Sequence, residues 1–282
     1  MAKQEKIRTR IWSEEPEPDN PFAAAVCYCH GYDVYGDILG KASWIEYLYL
    51  LFRGERPTPR QAKLLEGLAI AVANQGPRDH SVNAAMNGGV GGSTYASCLM
   101  AALAVGAGQL GGAHEVYIAM GYWSRCGQDL ELWKKELLNP EIPERADIWL
   151  PMEHPPGFDP YGTSCATPVK QTLNYISTAS EGQALPWLVQ HREELERAVD
   201  RPLAMTGVAA AALTDLGFYP SQGEMLYLLL RLPGAAVHAL EQEEYGWRQF
   251  PFFADGLIVE NDPGPRHINI PSPFAGEGEG DI

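Results

Sequence analysis

Residues 226–242 read Leu226-Tyr227-Leu228-Leu229-Leu230-Arg231-Leu232-Pro233-Gly234-Ala235-Ala236-Val237-His238-Ala239-Leu240-Glu241-Gln242, and they set one arginine inside an apolar run. The pattern predicts a helix over residues 223–245. Arg231 follows five mostly apolar residues and precedes Pro233, so it faces a crowded interior or a cleft. A guanidinium there needs an anionic partner, because burying it unpaired is costly. That partner is either a bound anion or one of the chain's own carboxylates in a structural ion pair.

The helical period recurs on both sides. Trp44, Tyr47, Leu48 and Leu51 stand at i, i+3, i+4 and i+7, and the run stops at Arg53-Gly54 before Pro57-Thr58-Pro59. Residues 61–73 repeat it through Leu64, Leu65, Leu68 and Val72. Residues 94–107 are rich in Ala and suit close helix packing, and Gly111-Gly112 breaks that run before a helix expected from 113 to about 138. Further helices are expected over 169–178, 184–199 and 205–216. Period-two alternation is scarce, with residues 256–260 the best short strand. The expected class is all-α.

The ends read differently. The first twenty residues are charged and run into Glu14-Glu15-Pro16-Glu17-Pro18-Asp19-Asn20-Pro21, which suggests an extended arm over 1–21 with order beginning near Phe22. Residues 271–282 hold Pro, Gly and Glu with little to bury and read as a flexible acidic tail. The Pro- and Gly-rich stretch 139–164 is long for a connection in a compact domain, and such connections are usually functional.

The whole chain has 282 residues, with 21 Lys and Arg against 36 Asp and Glu, a net charge of −15. No dense basic patch offsets that balance, which argues against a nucleic acid or a basic membrane-surface helix as the main mode of binding. Hydrophobic residues at 45% and charged ones at 20% are ordinary for a globular protein large enough to bury a full core. The apolar stretches 99–110 and 226–230 fall short of the roughly 18 to 20 residues of a membrane span. Residues 1–10 lack the apolar run of a signal peptide, so a soluble cytoplasmic protein is expected. Five cysteines at 27, 29, 98, 126 and 165 are odd in number and sparse, and free thiols are the better reading. Cys27-Tyr28-Cys29-His30 has the look of a metal site but no second ligand pair, so no metal is expected.

Gly88-Gly89-Val90-Gly91-Gly92-Ser93-Thr94 ahead of a helix offers backbone N–H groups to a phosphate, yet it has neither the Lys of a P-loop nor dinucleotide-fingerprint spacing. A close-packing turn is the favoured reading. His80, His114 and His238 stand in suggestive settings, although lone histidines are more often structural. The Gly-x-Ser-x-Gly elbow of many hydrolases is absent from the sequence.

Taken in order, several segments resemble the citrate synthase superfamily, particularly its short members such as citryl-CoA lyases and the lyase module of ATP citrate lyase. His30-Gly31-Tyr32-Asp33-Val34-Tyr35-Gly36-Asp37-Ile38-Leu39-Gly40 is similar to the family's GY-x-hydrophobic-x-x-L-x-G segment. Tyr47-Leu48-Tyr49-Leu50-Leu51-Phe52-Arg53-Gly54-Glu55-Arg56-Pro57-Thr58 resembles its YLLL-x-GELPT. Asp79-His80 resembles its DHG, and Gly108-Gln109-Leu110-Gly111-Gly112-Ala113-His114-Glu115 its HGGA turn. Arg231, Gly234, His238, Glu241 and Gln242 match its R-x-x-G-x-x-A-H-x-x-EQ helix. Order and spacing over about residues 22–250 carry the likeness.

The resemblance implies a citrate synthase-like all-α fold with two parts: a large helical domain from 22–112 and 226–270, and a small one from 113–225. It implies an enzyme that closes over an acyl-CoA and a carboxylate or keto acid and makes or breaks a C–C bond beside the thioester. Coenzyme A would enter as part of the substrate, with no permanent cofactor. A homodimer, or a hetero-oligomer with a paralogue, is the implied assembly.

Carried over residue by residue, His80 matches a substrate-contacting histidine and Arg231 a carboxylate-binding arginine. Departures follow. Leu110 occupies the turn histidine's place, and His114, four residues on at a helix start, is the substitute on offer. Gly157-Phe158-Asp159-Pro160 aligns with the family's GFGH, so Pro160 replaces its histidine. Leu203 stands where the catalytic aspartate is expected. Asp159 is the replacement base if the loop has shifted; otherwise it opens a Pro-Tyr turn. His238 and Arg266 complete the expected substrate contacts. Two readings follow: an enzyme with a rebuilt site using His80, His114 and Asp159, or a catalytically degenerate subunit that keeps the pocket. Either way, anionic CoA requires a locally electropositive cleft, expected around His80 and Arg231, on a negative surface.

Overall fold

The computed structural model describes residues 8–139 and 154–250. Ten α-helices occur among the described residues, and they follow a three-stranded antiparallel sheet in the order β1-β2-β3. The strands are β1 (Trp12–Glu17), β2 (Asn20–Cys29) and β3 (Tyr32–Asp33). They correct the expected extended arm, because order begins before Phe22. Trp12 pairs with Cys29 and Glu15 with Val26, and the register shifts on both sides of Pro16. A proline lacks the ladder N–H, so it is tolerated at such an irregularity on an edge strand.

The first three helices start where side chains cap them. Ser43 and Glu46 form a reciprocal capping box on α1 (Trp44–Arg53), and Thr58 and Gln61 do the same on α2 (Pro59–Val72). Asp79 caps α3 (His80–Val90) by accepting from the backbone of Ser81 and Val82. The glycine-rich segment is thus divided: Gly88, Gly89 and Val90 form the last turn of α3, and Thr94 caps α4 (Tyr95–Gly106). A side chain at Gly89 would collide with the Ala239 carbonyl, so the glycine serves close helix packing.

The helix expected from 113 to 138 is two helices. α5 (Ala113–Cys126) ends at Gly127, and Asp129 caps α6 (Leu130–Leu138). Trp123, Trp133 and Trp187 then meet at centroid separations of 4.7 to 5.7 Å, joining α5 and α6 to α8 (Ala184–Val199). Before α8 comes α7 (Thr167–Ser177). Helix α9 (Met205–Asp215) is buried at every position from Thr206 to Leu213. A helix apolar on all sides belongs at the centre of a helical stack, and its small Ala residues let neighbours approach on every face.

Helix α10 (Pro220–Tyr245) carries the opening stretch. Pro233 cannot donate within the helix, and the N–H of Gly234 leaves it altogether, donating to Ala73 O at the end of α2 at 2.7 Å. A Cβ at residue 234 would strike Ala73 and Asn74. The Pro-Gly pair therefore docks α10 against α2. One apolar cluster runs from Leu48 through α5 and α9 to Leu230, and a second joins α3, α4 and α10 around Val82, Ala85 and Ala235. No helix among the described residues is long and apolar enough to cross a membrane. The strand at 256–260, the tail 271–282 and Arg266 lie outside the described residues.

Candidate active site

Arg231 is 5% exposed, as a charge inside an apolar helix should be if it has partners. Its Nη2 bonds Asp79 Oδ2, its Nη1 donates to Gly111 O at 3.2 Å, and its guanidinium lies 5.1 Å from the Tyr227 ring centre. The carboxylate partner is thus internal. Asp79 does double duty, since its Oδ1 caps α3 while Oδ2 holds Arg231.

The network continues through the Gly111 turn. Gly111 N donates to Glu115 Oε2 at 2.7 Å. Glu115 Oε1 accepts from Gly157 N at 2.7 Å and from Thr206 Oγ1 at 2.9 Å. A carboxylate with 1% exposure therefore ties the α4–α5 turn, the loop before α7 and the start of α9 to one point. His154 lies beside it, buried, with Nε2 3.6 Å from Glu115 Oε1. Tyr227, wholly buried, has its hydroxyl pushed up to about 12, chiefly by burial, with the nearby Glu115 and Asp79 charges adding to the rise against Arg231.

Of the other residues singled out in the sequence, none has its side chain among the hydrogen bonds of this network. His80 is exposed on the first turn of α3. His114 Nδ1 lies 3.1 Å from Glu224 Oε1, and its ring stacks on Tyr117 at 5.4 Å. Asp159 Oδ1 accepts from Tyr161 N at 2.8 Å, the geometry of a tight turn. His238 Nε2 lies 3.1 Å from Asn74 Oδ1. Leu203 is buried and bridges Phe158. Sequence reasoning missed Glu115, His154 and Thr206. The one local signal was Glu115, a charge one residue before Val116 on a face that packs inward.

A cleft of about 720 Å³ opens elsewhere, between the loop that follows Phe158 and the end of α8. Lys170, Arg192, Arg197 and Arg201 line it together with Glu193, Glu196 and Asp200. Arg192 is held by Glu196 at 2.6 Å and Glu193 at 2.8 Å, while Lys170, Arg197 and Arg201 are exposed. Neither His80 nor Arg231 is in its wall, which corrects the expected position of the basic cleft. Arg231 is buried in its bond to Asp79, and the cations come from α7, α8 and the turn after α8. Cys165 forms part of the wall, and burial pushes its thiol up, so it stays protonated and is a poor nucleophile. No cluster of three or more potential metal ligands occurs among the described residues.

In shape the chain is similar to the citryl-CoA lyase from Hydrogenobacter thermophilus, with a TM-score of 0.68 and 20% identity, covering 94% of this chain and 96% of that one. It is similar to ATP citrate lyase from Methanothrix soehngenii, solved with citrate and coenzyme A, at a TM-score of 0.70 and 17% identity. The Methanosaeta concilii ATP citrate lyase, solved with (3S)-citryl-CoA, gives 0.71 and 16%. Each of these two matches covers 92% of this chain but 42% of the other. No family model and no curated protein matches the sequence. The fold is the all-α, citrate synthase-like one.

Proposed function

We propose that this chain is a CoA-linked lyase of the citryl-CoA lyase kind, making or breaking a C–C bond beside a CoA thioester. The observation that carries the reading is the cleft of about 720 Å³ edged by Lys170, Arg197 and Arg201 in a chain of net charge −15. Those three exposed cations suit the phosphates of CoA: the wall's four cations outnumber its three carboxylates by one, with Arg201 3.8 Å from Asp200, and a positive lining on a negative surface concentrates an anionic ligand. Arg231 takes the carboxylate of the second substrate by exchanging its bond to Asp79. His80, His114 and Asp159 are the proposed catalytic groups, with His238 and Arg266 as substrate contacts. In the synthetic direction the same chemistry is that of a transferase.

The division into a large part, 22–112 with 226–270, and a small part, 113–225, belongs to this reading, as do a homodimer and a cytoplasmic location. So does closure of the two parts over the substrate.

A specific observation favours a second reading. Leu203 is packed in the core, Leu110 stands on the turn, and Arg231 already has an internal carboxylate. A subunit that binds CoA derivatives or an active paralogue without turnover fits those facts. The purified protein, assayed with citryl-CoA and related hydroxyacyl-CoA thioesters in both directions, separates the two. Turnover is the expected result. CoA binding with no turnover, and a second chain co-purifying, would establish the degenerate subunit instead.

A further inference from the structure

Residues 80–114 hold no Asp, Glu, Lys or Arg, in a chain with 36 acidic and 21 basic residues. Helix α4 lies inside that run. Its inner side, Cys98, Ala102 and Gly106, is buried toward α3. Its other side is Ala96, Leu99, Met100, Leu103, Ala104 and Ala107, spaced i, i+3, i+4, i+7, i+8 and i+11, and all six are exposed or half-buried. A surface helix puts charged and polar residues there. Helix α10 repeats the anomaly. Met225, Leu229, Val237 and Leu240 are exposed, and Leu232 and Ala236 half-buried. The one Asp, Glu, Lys or Arg between Met225 and Leu240 is Arg231, turned inward onto Asp79. The two stripes adjoin, because Leu103 of α4 and Leu228 and Leu232 of α10 flank one narrow crevice floored by Gly106 and Ala235.

We propose that this α4–α10 face is the surface through which two copies of the chain pair. The proposal gives the homodimer named above its surface, and it stands on these two helices rather than on the lyase chemistry. A contiguous exposed apolar patch rimmed by polar residues marks an interaction site. Charge selects a second copy as the occupant. At a net charge of −15, two copies repel wherever carboxylates oppose one another, and on this face none does. A cationic partner would instead seek the carboxylates that the face lacks.

Size agrees with that occupant. At 1.5 Å per residue the stripe runs about 23 Å along α10, and two helices side by side are about 20 Å across, an outline of about 450 Å². That supplies the apolar core of an interface to which each partner gives about 800 Å², the polar rim providing the rest. A twofold pair sets the same stripe against itself and leaves no apolar remainder, so assembly through this face closes at two.

The test is sedimentation velocity on the full chain, which should show a dimer at micromolar concentration. Met100→Glu combined with Leu229→Glu sets carboxylates into the face from both helices and should weaken pairing about 100-fold or more. Val189→Glu, at an exposed apolar position on α8, should leave pairing unchanged. A photoreactive benzophenone at Met100 asks the same question without a buried charge: it should crosslink two copies on illumination, and the same group at Val189 should not. A monomeric unaltered chain would overturn the proposal. So would a double variant that pairs as tightly as the unaltered chain, or crosslinking through Val189 alone. A monomer that floats with phosphatidylcholine vesicles would give the face to a lipid surface instead. A dimer of the expected kind that cleaves no thioester and binds no CoA supports this proposal and counts against the lyase reading; a monomer that cleaves citryl-CoA does the reverse.

Discussion

The junction at Glu115 and the cleft beside α8 use the same residue types in opposite ways. At the junction one carboxylate, 1% exposed, holds Gly111, Gly157 and Thr206, and two of its three hydrogen bonds join segments far apart in the chain. In the cleft, carboxylates and cations lie close together in sequence; the partly buried Arg192 pairs with Glu193 and Glu196 one and four residues on, while Lys170, Arg197 and Arg201 stand in water. A polar group deleted from the junction leaves several others unsatisfied out of reach of water. A charge deleted from the cleft is replaced by solvent, because exposed ion pairs add little to stability. The junction therefore holds the fold, and the cleft is where charge remains available to a ligand.

The largest expected effect lies at the junction. Glu115→Ala should cost about 3 to 5 kcal/mol in urea denaturation, since two backbone N–H groups and a hydroxyl lose their acceptor. A cost below about 1 kcal/mol would break the comparison.

Tyr227 sharpens it through pH. Its hydroxyl ionises near 12 in the folded chain and near 10 when unfolded, so the protonated form is favoured by folding. That contribution is complete below pH 10 and is lost as the pH rises from 10 through 12, by about 2 to 3 kcal/mol. Tyr227→Phe should remove this part of the alkaline decline in unfolding free energy; an unchanged decline would contradict the placement of the phenol.

Thr206→Val removes one of the donors to Glu115 and should cost about 1 kcal/mol in the same denaturation assay. Smallest is the cleft: Lys170→Ala or Arg201→Ala should leave the unfolding midpoint unchanged. Iodoacetamide should label Cys165 slowly at pH 7.5, since burial raises its thiol; rapid labelling would show an open, ionised site instead.

The helical fold was legible where local signals agree with packing. Residues 184–199 match α8 end to end, and Arg53-Gly54 stops α1 as the sequence suggested. The break at Gly127 was written in the chain as a stop followed by the cap Asp129, but the apolar period on both sides runs through it. Helix α3 was hidden because its last turn is glycine, and its packing against α10 overrides glycine's poor helix propensity. Strand β1 was hidden because Glu and Pro are poor strand formers; pairing with β2 decides it. The site divides in the same way. His80 and Arg231 were marked by the family resemblance, and Arg231 meets Asp79 and Gly111, which stand in the quoted segments, in one network. Glu115 to Gly157 and Glu115 to Thr206 are contacts across 42 and 91 residues, and no local pattern announces them.

Calorimetric titration of the purified chain with CoA, at low and at high salt, tests the central claim most directly. The account predicts saturable binding that weakens as salt rises, and that weakens further in the Lys170→Ala, Arg201→Ala double variant. Absence of binding at millimolar CoA, or binding indifferent to both salt and the double variant, would contradict it.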